Sequence, residues 1–568
     1  MNTRAEPEFG HVEKRAPEEV MRLARMGASF PTRLSFMRTV IRELHNNDWT
    51  IAYPTIALDD DGYGHIVITA TGPKHTYSLI AYSHELDPEK RTDRVIAEAW
   101  DATFTLYDGI PADADIERLR SEVPRQEAGR CSPNELTLSR ANKSVRLFTH
   151  VVDSLAAGKQ PDIEFVSSVG YLMRTTAVYG NGKFGIADRA KFANRPEVAA
   201  PFQAELLSVY LIRCFTHLLV EHIARARSPE TFVPLAPEIK RFLGIGNSTG
   251  LGMAPFMHSH PVLINNWVDA RETAVQRVRN IRHATAETMS EFRRILARAH
   301  QNIAEWNVAD ERQTGRIEIL RPEVDALIAL TSVPEFASHE YPWDHLYQHA
   351  AEHCSLEAQE LVAALILEPH GDLIDDLATT MSADTDSHFD ASVSLESLHR
   401  TVRDTYGWAL EIDLETAEAE PQFWYVSEEK LEPRLGERAS ETGVEKEMPL
   451  HVVRDVQALV RDLSDCDPKK IVAEFLMAHP QHRHIVKRIQ TVARYPFGEI
   501  RDNLVGPEML AIDLLRFKLA FFGATKFDPK SDRWTRINMY QGAPLPDELA
   551  NPDADDWAFA TMPADVAT

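Results

Sequence analysis

The sequence predicts a predominantly helical α+β protein built from two related α+β halves around a helical insert. Three observations predict it. First, Ile51–Leu58, Gly64–Thr71 and Tyr77–Ser83 are short, β-branched or aromatic, and separated by DDDG and GPKH turns. That is the signature of an antiparallel sheet. Second, most of the remaining chain carries its apolar residues at helical spacing. Third, short residue blocks recur in one order. Tyr63-Gly64-His65 is matched by Tyr406-Gly407-Trp408, and Thr175-x-Ala177-x-Tyr179 before Phe184-Gly185 by Thr491-x-Ala493-x-Tyr495 before Phe497-Gly498. Glu205-Leu206-Leu207 with Arg213 is matched by Glu508-Met509-Leu510 with Arg516. An ordered series of this kind points to an internal duplication.

The elements follow in order. Residues 1–30 are charged and read as a poorly ordered N-terminal segment. Leu34, Met37, Ile41 and Leu44 sit at helical spacing, so 31–46 reads as a helix. Val95–Tyr107 gives a strand in its second half. The stretch 115–230 reads as helical, with Pro133 and Pro201 at helix starts, and 201–227 is its clearest helix. A glycine-rich loop covers 244–252, one long amphipathic helix covers 261–305, and a helical pair covers 322–368. SADTDSHFD at 382–390 reads as a loop, and 543–568 as a loose acidic tail. The expected units are a first half at 31–260, an insert at 261–394 and a shorter second half at 395–542.

Charge narrows the partners. The 568 residues hold 86 acidic against 61 basic side chains, a formal net charge of −25. A duplex-binding protein needs a basic surface to release counterions, and anionic lipid repels this sign as well. Nucleic acid and membrane are therefore not expected. A small anionic substrate is, because a few arginines suffice to hold one. Cys131, Cys214, Cys354 and Cys466 are scattered without a CxxC pair, which excludes a zinc ribbon and suits a reducing compartment. The N-terminal stretch has no apolar run, and the apolar runs elsewhere are short or broken by charge, so the expected location is the cytoplasm. No motif calls for an organic cofactor, and a homodimer is the expected assembly.

Five motifs bear on chemistry. Gly180-Asn-Gly182-Lys183-Phe-Gly185 has the spacing GxGxxG. A dinucleotide fingerprint follows a strand and opens a helix, whereas the segment before Gly180 reads as helix with no βαβ unit around it, so that reading is rejected. Glycines still let main-chain N–H groups approach an anion, and Arg174, Lys183 and Arg189 supply charge. The second motif packs Asn247, Ser248, Thr249 and Gly250 among four glycines, then leads through His258 to a helix N-terminus, where oriented N–H groups favour an anion. The third places Arg213, His217 and Glu221 at i, i+4 and i+8 in an apolar helix; a glutamate beside a histidine suits acid–base work near neutral pH, and a structural ion-pair ladder is the plain alternative. The fourth is His345, His349 and His353, four residues apart on one helix. It offers an alternative metal site, but the plain reading is a polar helix face, and no metal is expected. The fifth, His482-Arg483-His484 with Lys487 and Arg488, is locally basic in an acidic chain and reads as a solvated helix face rather than an anion site.

Together these features predict an enzyme acting on a small carboxylate or phosphate metabolite by acid–base chemistry, of the lyase or isomerase type. His217, Glu221, His258 and Ser248 are the expected catalytic residues. Arg174, Lys183, Arg189, Arg213, Asn247, Thr249 and Gly250 are the expected substrate ligands. The alternatives are a metal-dependent oxidoreductase or hydrolase using the 345–353 histidines, and a non-catalytic acidic assembly protein.

Overall fold

The computed structural model describes residues 11–87, 89, 100–124, 132–180, 195–247, 260–381, 388–415, 424–427, 433–435, 444–447, 451–501, 511–531 and 534–562. Its strands are β1 (Thr50–Leu58), β2 (Gly64–Thr71), β3 (Thr76–Ser83), β4 (Ala102–Asp108), β5 (Glu135–Lys143), β6 (Tyr171–Gly180) and β7 (Gly244–Asn247). They continue with β8 (Trp424–Ser427), β9 (Pro433–Leu435), β10 (Val444–Glu447), β11 (Thr525–Ser531) and β12 (Trp534–Met539). Nine form one sheet in the order β1-β2-β3-β4-β5-β6-β7-β12-β11, and three form a small sheet in the order β10-β8-β9. In the large sheet every described pairing is antiparallel except β6 with β7.

The first three strands follow the sequence reading closely, because β-branched alternation and tight turns both favour them. Tyr77, Leu79 and Ala81 point to one core, and Ile80 and Tyr82 to another. Against the larger core lies the Gln203–Arg227 helix, apolar on nearly every side and buried for most of its length. Phe215 meets Phe104 of β4 edge-on at 5.3 Å, and Ser208 bonds Thr137 of β5 at 2.7 Å. By length and composition this is the one described helix able to cross a membrane, and it is buried inside the fold.

Helices Pro261–Arg279, Ala286–Ala304, Glu311–Ser332, Pro342–His353 and Leu356–Leu365 extend the same core. A second, smaller core gathers Leu398, Val402, Val456, Ile485 and Ile489 from helices Leu395–Leu410, His451–Ser464 and Arg483–Arg494. This helical lobe joins the main body where the Phe497 N–H donates to Asn265 Oδ1 at 3.0 Å and the Tyr406 hydroxyl donates to Glu499 at 2.8 Å.

Several expectations are corrected. The stretch 115–230 is not uniformly helical, since it contains β5 and β6. The helix Ile163–Val169 ends at Gly170, whose φ of +77° makes a left-handed cap, so helical spacing stops there and strand alternation begins. Pro133 starts no helix; it lies in the turn before β5. The 261–305 helix is two helices: Asn280 closes the first, His283 takes a φ of +59°, and Thr285 caps the second by accepting from Thr288 N. Residues 11–30 are not loose, because Arg15 and Arg25 are buried and paired with Glu272 and Glu360. The tail is docked as far as Met562. Trp557, Phe559 and Met562 are buried, and Asp555 pairs with Arg33 and Arg38 at 2.9 Å. Apolar anchors and paired charges outweigh the proline-rich, acidic composition.

The block matching does not correspond to a structural repeat. Thr175–Tyr179 lies in strand β6, whereas Thr491–Arg494 ends a helix. Gly64-His65 opens β2, whereas Tyr406–Trp408 lies inside a helix. Strands β11 and β12, from the expected second half, complete the sheet of the first.

Candidate functional site

The site begins with the parallel pair. β6 and β7 are joined through the Gln203–Arg227 helix, so the chain does form a β–α–β crossover here. The ground on which a βαβ unit was discounted, a helix before Gly180, is therefore wrong. The next described helix after Gly180 is Pro196–Ala199. In parallel sheets ligands gather at the carboxyl ends of strands, and both β6 and β7 end on the same side. Arg174 lies beside Gly246 and Thr175 beside Asn247. Asn247 Nδ2 donates to Thr175 Oγ1 at 3.2 Å, and both side chains are buried. Ser248, Thr249, Gly250 and His258, which follow β7, and Lys183 and Arg189, which follow β6, lie outside the described residues.

Register assigns the two faces. Ile245 is opposite Met539 and Asn247 opposite Ile537, and the apolar members of these pairs enter the core. Gly246 is opposite Asn538, and Asp528 of β11 is opposite Arg536 of β12. Side chains alternate along a strand, so Arg174, Asn538, Arg536 and Asp528 share the other face. Arg174 and Asn538 flank Gly246, each one strand spacing of about 4.8 Å away. A Cβ on Gly246 would stand 2.7 Å from the Tyr171 ring, so glycine is needed to let that ring lie across β7. Arg536 sits over the same ring, 5.6 Å from its centroid. Burial raises the Tyr171 phenol above its ordinary pKa, and Arg536 and Arg174 pull it back; it stays a neutral donor at physiological pH.

Asn538 and Gln541 are completely buried, yet both polar atoms of the Asn538 amide and Nε2 of Gln541 have no hydrogen-bond partner among the described residues. Nε of Arg536 shares that condition. An unmet buried polar group costs about 1–3 kcal/mol, so such a cluster calls for water or a ligand. A cleft of about 510 Å³ opens beside it, lined by Arg536, Asp528, Glu164, Ser168, Glu305 and Trp306 among others. Its walls therefore mix one guanidinium with three carboxylates.

The helix motif stands apart from this cleft. Arg213 is fully buried and gives its donors to the carbonyls of Leu243, Pro544, Lys240, Arg241 and Ala543 at 2.8–3.1 Å. It clamps three chain segments from a fully buried position, the plain structural role for this residue. Glu221 accepts from Leu235 N at 2.9 Å and pairs with Lys240 at 2.7 Å; among the described residues it does not bond His217. Burial, with Arg213 and Lys240 adding to it, holds His217 well below its ordinary pKa. It is a neutral core imidazole, and the Glu221–His217 pairing expected from the helix spacing is not formed among the described residues.

His345, His349 and His353 run along one face of Pro342–His353. His345 stacks on His339 at 4.4 Å, and His349 meets His353 edge-on at 4.8 Å. Among the described residues their ring nitrogens do not form a three-ligand group. Burial, together with neighbouring histidines, lowers the pKa of His345 and His349.

No family model, curated protein or solved structure matches the chain. The site residues that sequence reading missed are Tyr171, Asp528, Arg536, Asn538 and Gln541. A signal existed: in WTRINMYQ the polar Arg536 and Asn538 alternate with Ile537 and Met539, the period of a strand with one polar face.

Proposed function

We propose that the chain is a cytoplasmic enzyme that binds a small carboxylate or phosphate metabolite where β7 ends beside the first half of β6 and acts on it by acid–base chemistry, of the lyase or isomerase type. The observation that carries the reading is the placement of Arg174 and Arg536 on one sheet face, Arg174 beside side-chain-free Gly246 and Arg536 two residues along β12 from Asn538, which pairs with Gly246 on its other side, with buried amides that lack partners among the described residues. Two arginines give forked, charge-assisted contacts to a carboxylate or phosphate. Tyr171 is a neutral proton donor beside them, and Asp528, Glu164 or Glu305 on the cleft wall supplies a carboxylate base. Lys183 and Arg189, in the segment after β6, and Ser248, Thr249, Gly250 and His258, in the segment after β7, belong to the proposal by sequence alone.

The test is a thermal-shift screen of small carboxylates and phosphates against the wild type, Arg174→Met and Arg536→Met. A compound that stabilises the wild type and loses its effect in both variants supports the reading. Equal shifts in all three proteins contradict it.

A further inference from the structure

We propose that Asp462, His479 and His482 in the helical lobe hold a divalent transition-metal ion of the zinc class. The three come from three elements. Asp462 lies near the end of His451–Ser464, His479 follows Val472–Ala478, and His482 closes the turn Pro480–His482 that leads into Arg483–Arg494. The two histidines are three residues apart, and a 3₁₀ turn eclipses residues at i and i+3. Phe475 fixes both rings, stacking on His479 at 4.7 Å and on His482 at 5.8 Å, with interplanar angles of 21° and 11°.

One nitrogen of each histidine and one Asp462 oxygen all lie within 4.8 Å of one another. Asp462 Oδ2 is 2.7 Å from His482 Nε2 and 3.5 Å from His479 Nδ1. Ligands about 2.0–2.1 Å from a tetrahedral zinc are about 3.4 Å from each other, so turns of the carboxylate and of the half-exposed His479 ring bring the set to coordination distance. The ion replaces the proton now shared between Asp462 and His482. Two imidazoles and a carboxylate suit zinc, cobalt and nickel. The His482 side chain is 6% exposed, while those of His479 and Asp462 are 32% and 34% exposed. The open side leaves a fourth position for water. Cys466 keeps its thiol on the Asp462 main-chain carbonyl at 3.4 Å, outside the ligand set. Bound there, the ion cross-links three elements of a lobe that has its own small core.

The experiment uses the full chain, purified without a histidine tag or chelator. Metal content is measured first; the stripped protein is then titrated with Zn²⁺ while its melting is followed. The expected result is about one equivalent of zinc per chain and a melt shifted upward by zinc. His479→Ala and Asp462→Asn should each weaken zinc binding at least about tenfold and abolish the shift. Substitution with Co²⁺ should give the visible absorption of a tetrahedral site. His482 is buried, so His482→Ala is not the deciding variant; half-exposed His479 is. Zinc binding that is equal in wild type and His479→Ala, or no stoichiometric binding with no cobalt spectrum, overturns the proposal and leaves an Asp–His ion pair.

Discussion

Replacing Arg213 by methionine should destabilise the whole fold. The guanidinium bridges the Gln203–Arg227 helix, the C-terminal end of the Pro237–Phe242 helix and the 543–544 segment through five carbonyl contacts. Hydrogen bonds to a charged group contribute about 1.5–3 kcal/mol each, but these do not add. Nη2 is shared among three carbonyls, and Arg241 O keeps a second donor, Gly542 N, at 2.8 Å. Methionine also removes the desolvation cost of a buried charge, which is what depresses the Arg213 pKa. Balancing these, we expect a loss of about 3–5 kcal/mol, a large part of the roughly 5–15 kcal/mol of a typical fold. Arg213→Lys keeps the charge but not the fork and should lose about half as much. Urea unfolding followed by circular dichroism reads the effect as a lower midpoint with an unchanged slope. A methionine variant within about 0.5 kcal/mol of wild type would refute the clamp. Unchanged stability with lost ligand binding would restore Arg213 as a substrate residue.

Further outcomes follow from other buried charges. Glu360 is held at about 2 against the desolvation of full burial by Arg15, Arg271 and Arg25. Its folded pKa is depressed, so its contribution is present above pH 4.5 and is lost as pH falls towards 2; Glu360→Gln should cost about 3–5 kcal/mol at neutral pH by leaving buried Arg15 and Arg271 to Glu272 alone and Arg25 to the half-exposed Glu19, read by the same urea assay. His370 is lowered to about 4 by burial. The unfolded chain therefore binds a proton near pH 6.5 that the folded chain refuses, and stability falls on acidification between pH 6.5 and 4. His370→Gln should remove up to about 3 kcal/mol of that fall, measured as the difference in pH-dependent melting. His345→Ala and His349→Ala should leave metal content and melting nearly unchanged, since they form a partly exposed histidine face; stoichiometric metal lost in these variants would contradict this.

How much was legible divides by interaction range. Local signals read correctly: the alternation of β1 to β3, the apolar Gln203–Arg227 helix, and the strand ending at Asp108. Failures came where partners distant in sequence decide. Arg15 and Asp555 look like solvated charges until Glu272 and Arg38 meet them. Arg213 and Glu221 do sit on one helix face, but their neighbours are main-chain groups from 240–243, 543–544 and 235, which spacing cannot reveal. The ordered blocks matched in letters while one copy was strand and the other helix, because two to five residues do not determine a period. Of the site, Arg174 and Asn247 were singled out for their chemistry, but Arg174 was read into a helix and Asn247 into a loop, whereas they lie on β6 and β7. The residues of β11 and β12 on the same sheet come about 280–290 positions after Asn247 and about 350–365 after Arg174, beyond any local pattern.

The most direct test of the central claim is a crystal structure of the protein soaked with phosphate or a small dicarboxylate. The anion should lie beside Gly246, contacted by Arg174 and Arg536, where β7 ends against the first half of β6. An anion bound elsewhere with this face empty, or Arg174 and Arg536 on opposite faces of the sheet, would contradict it.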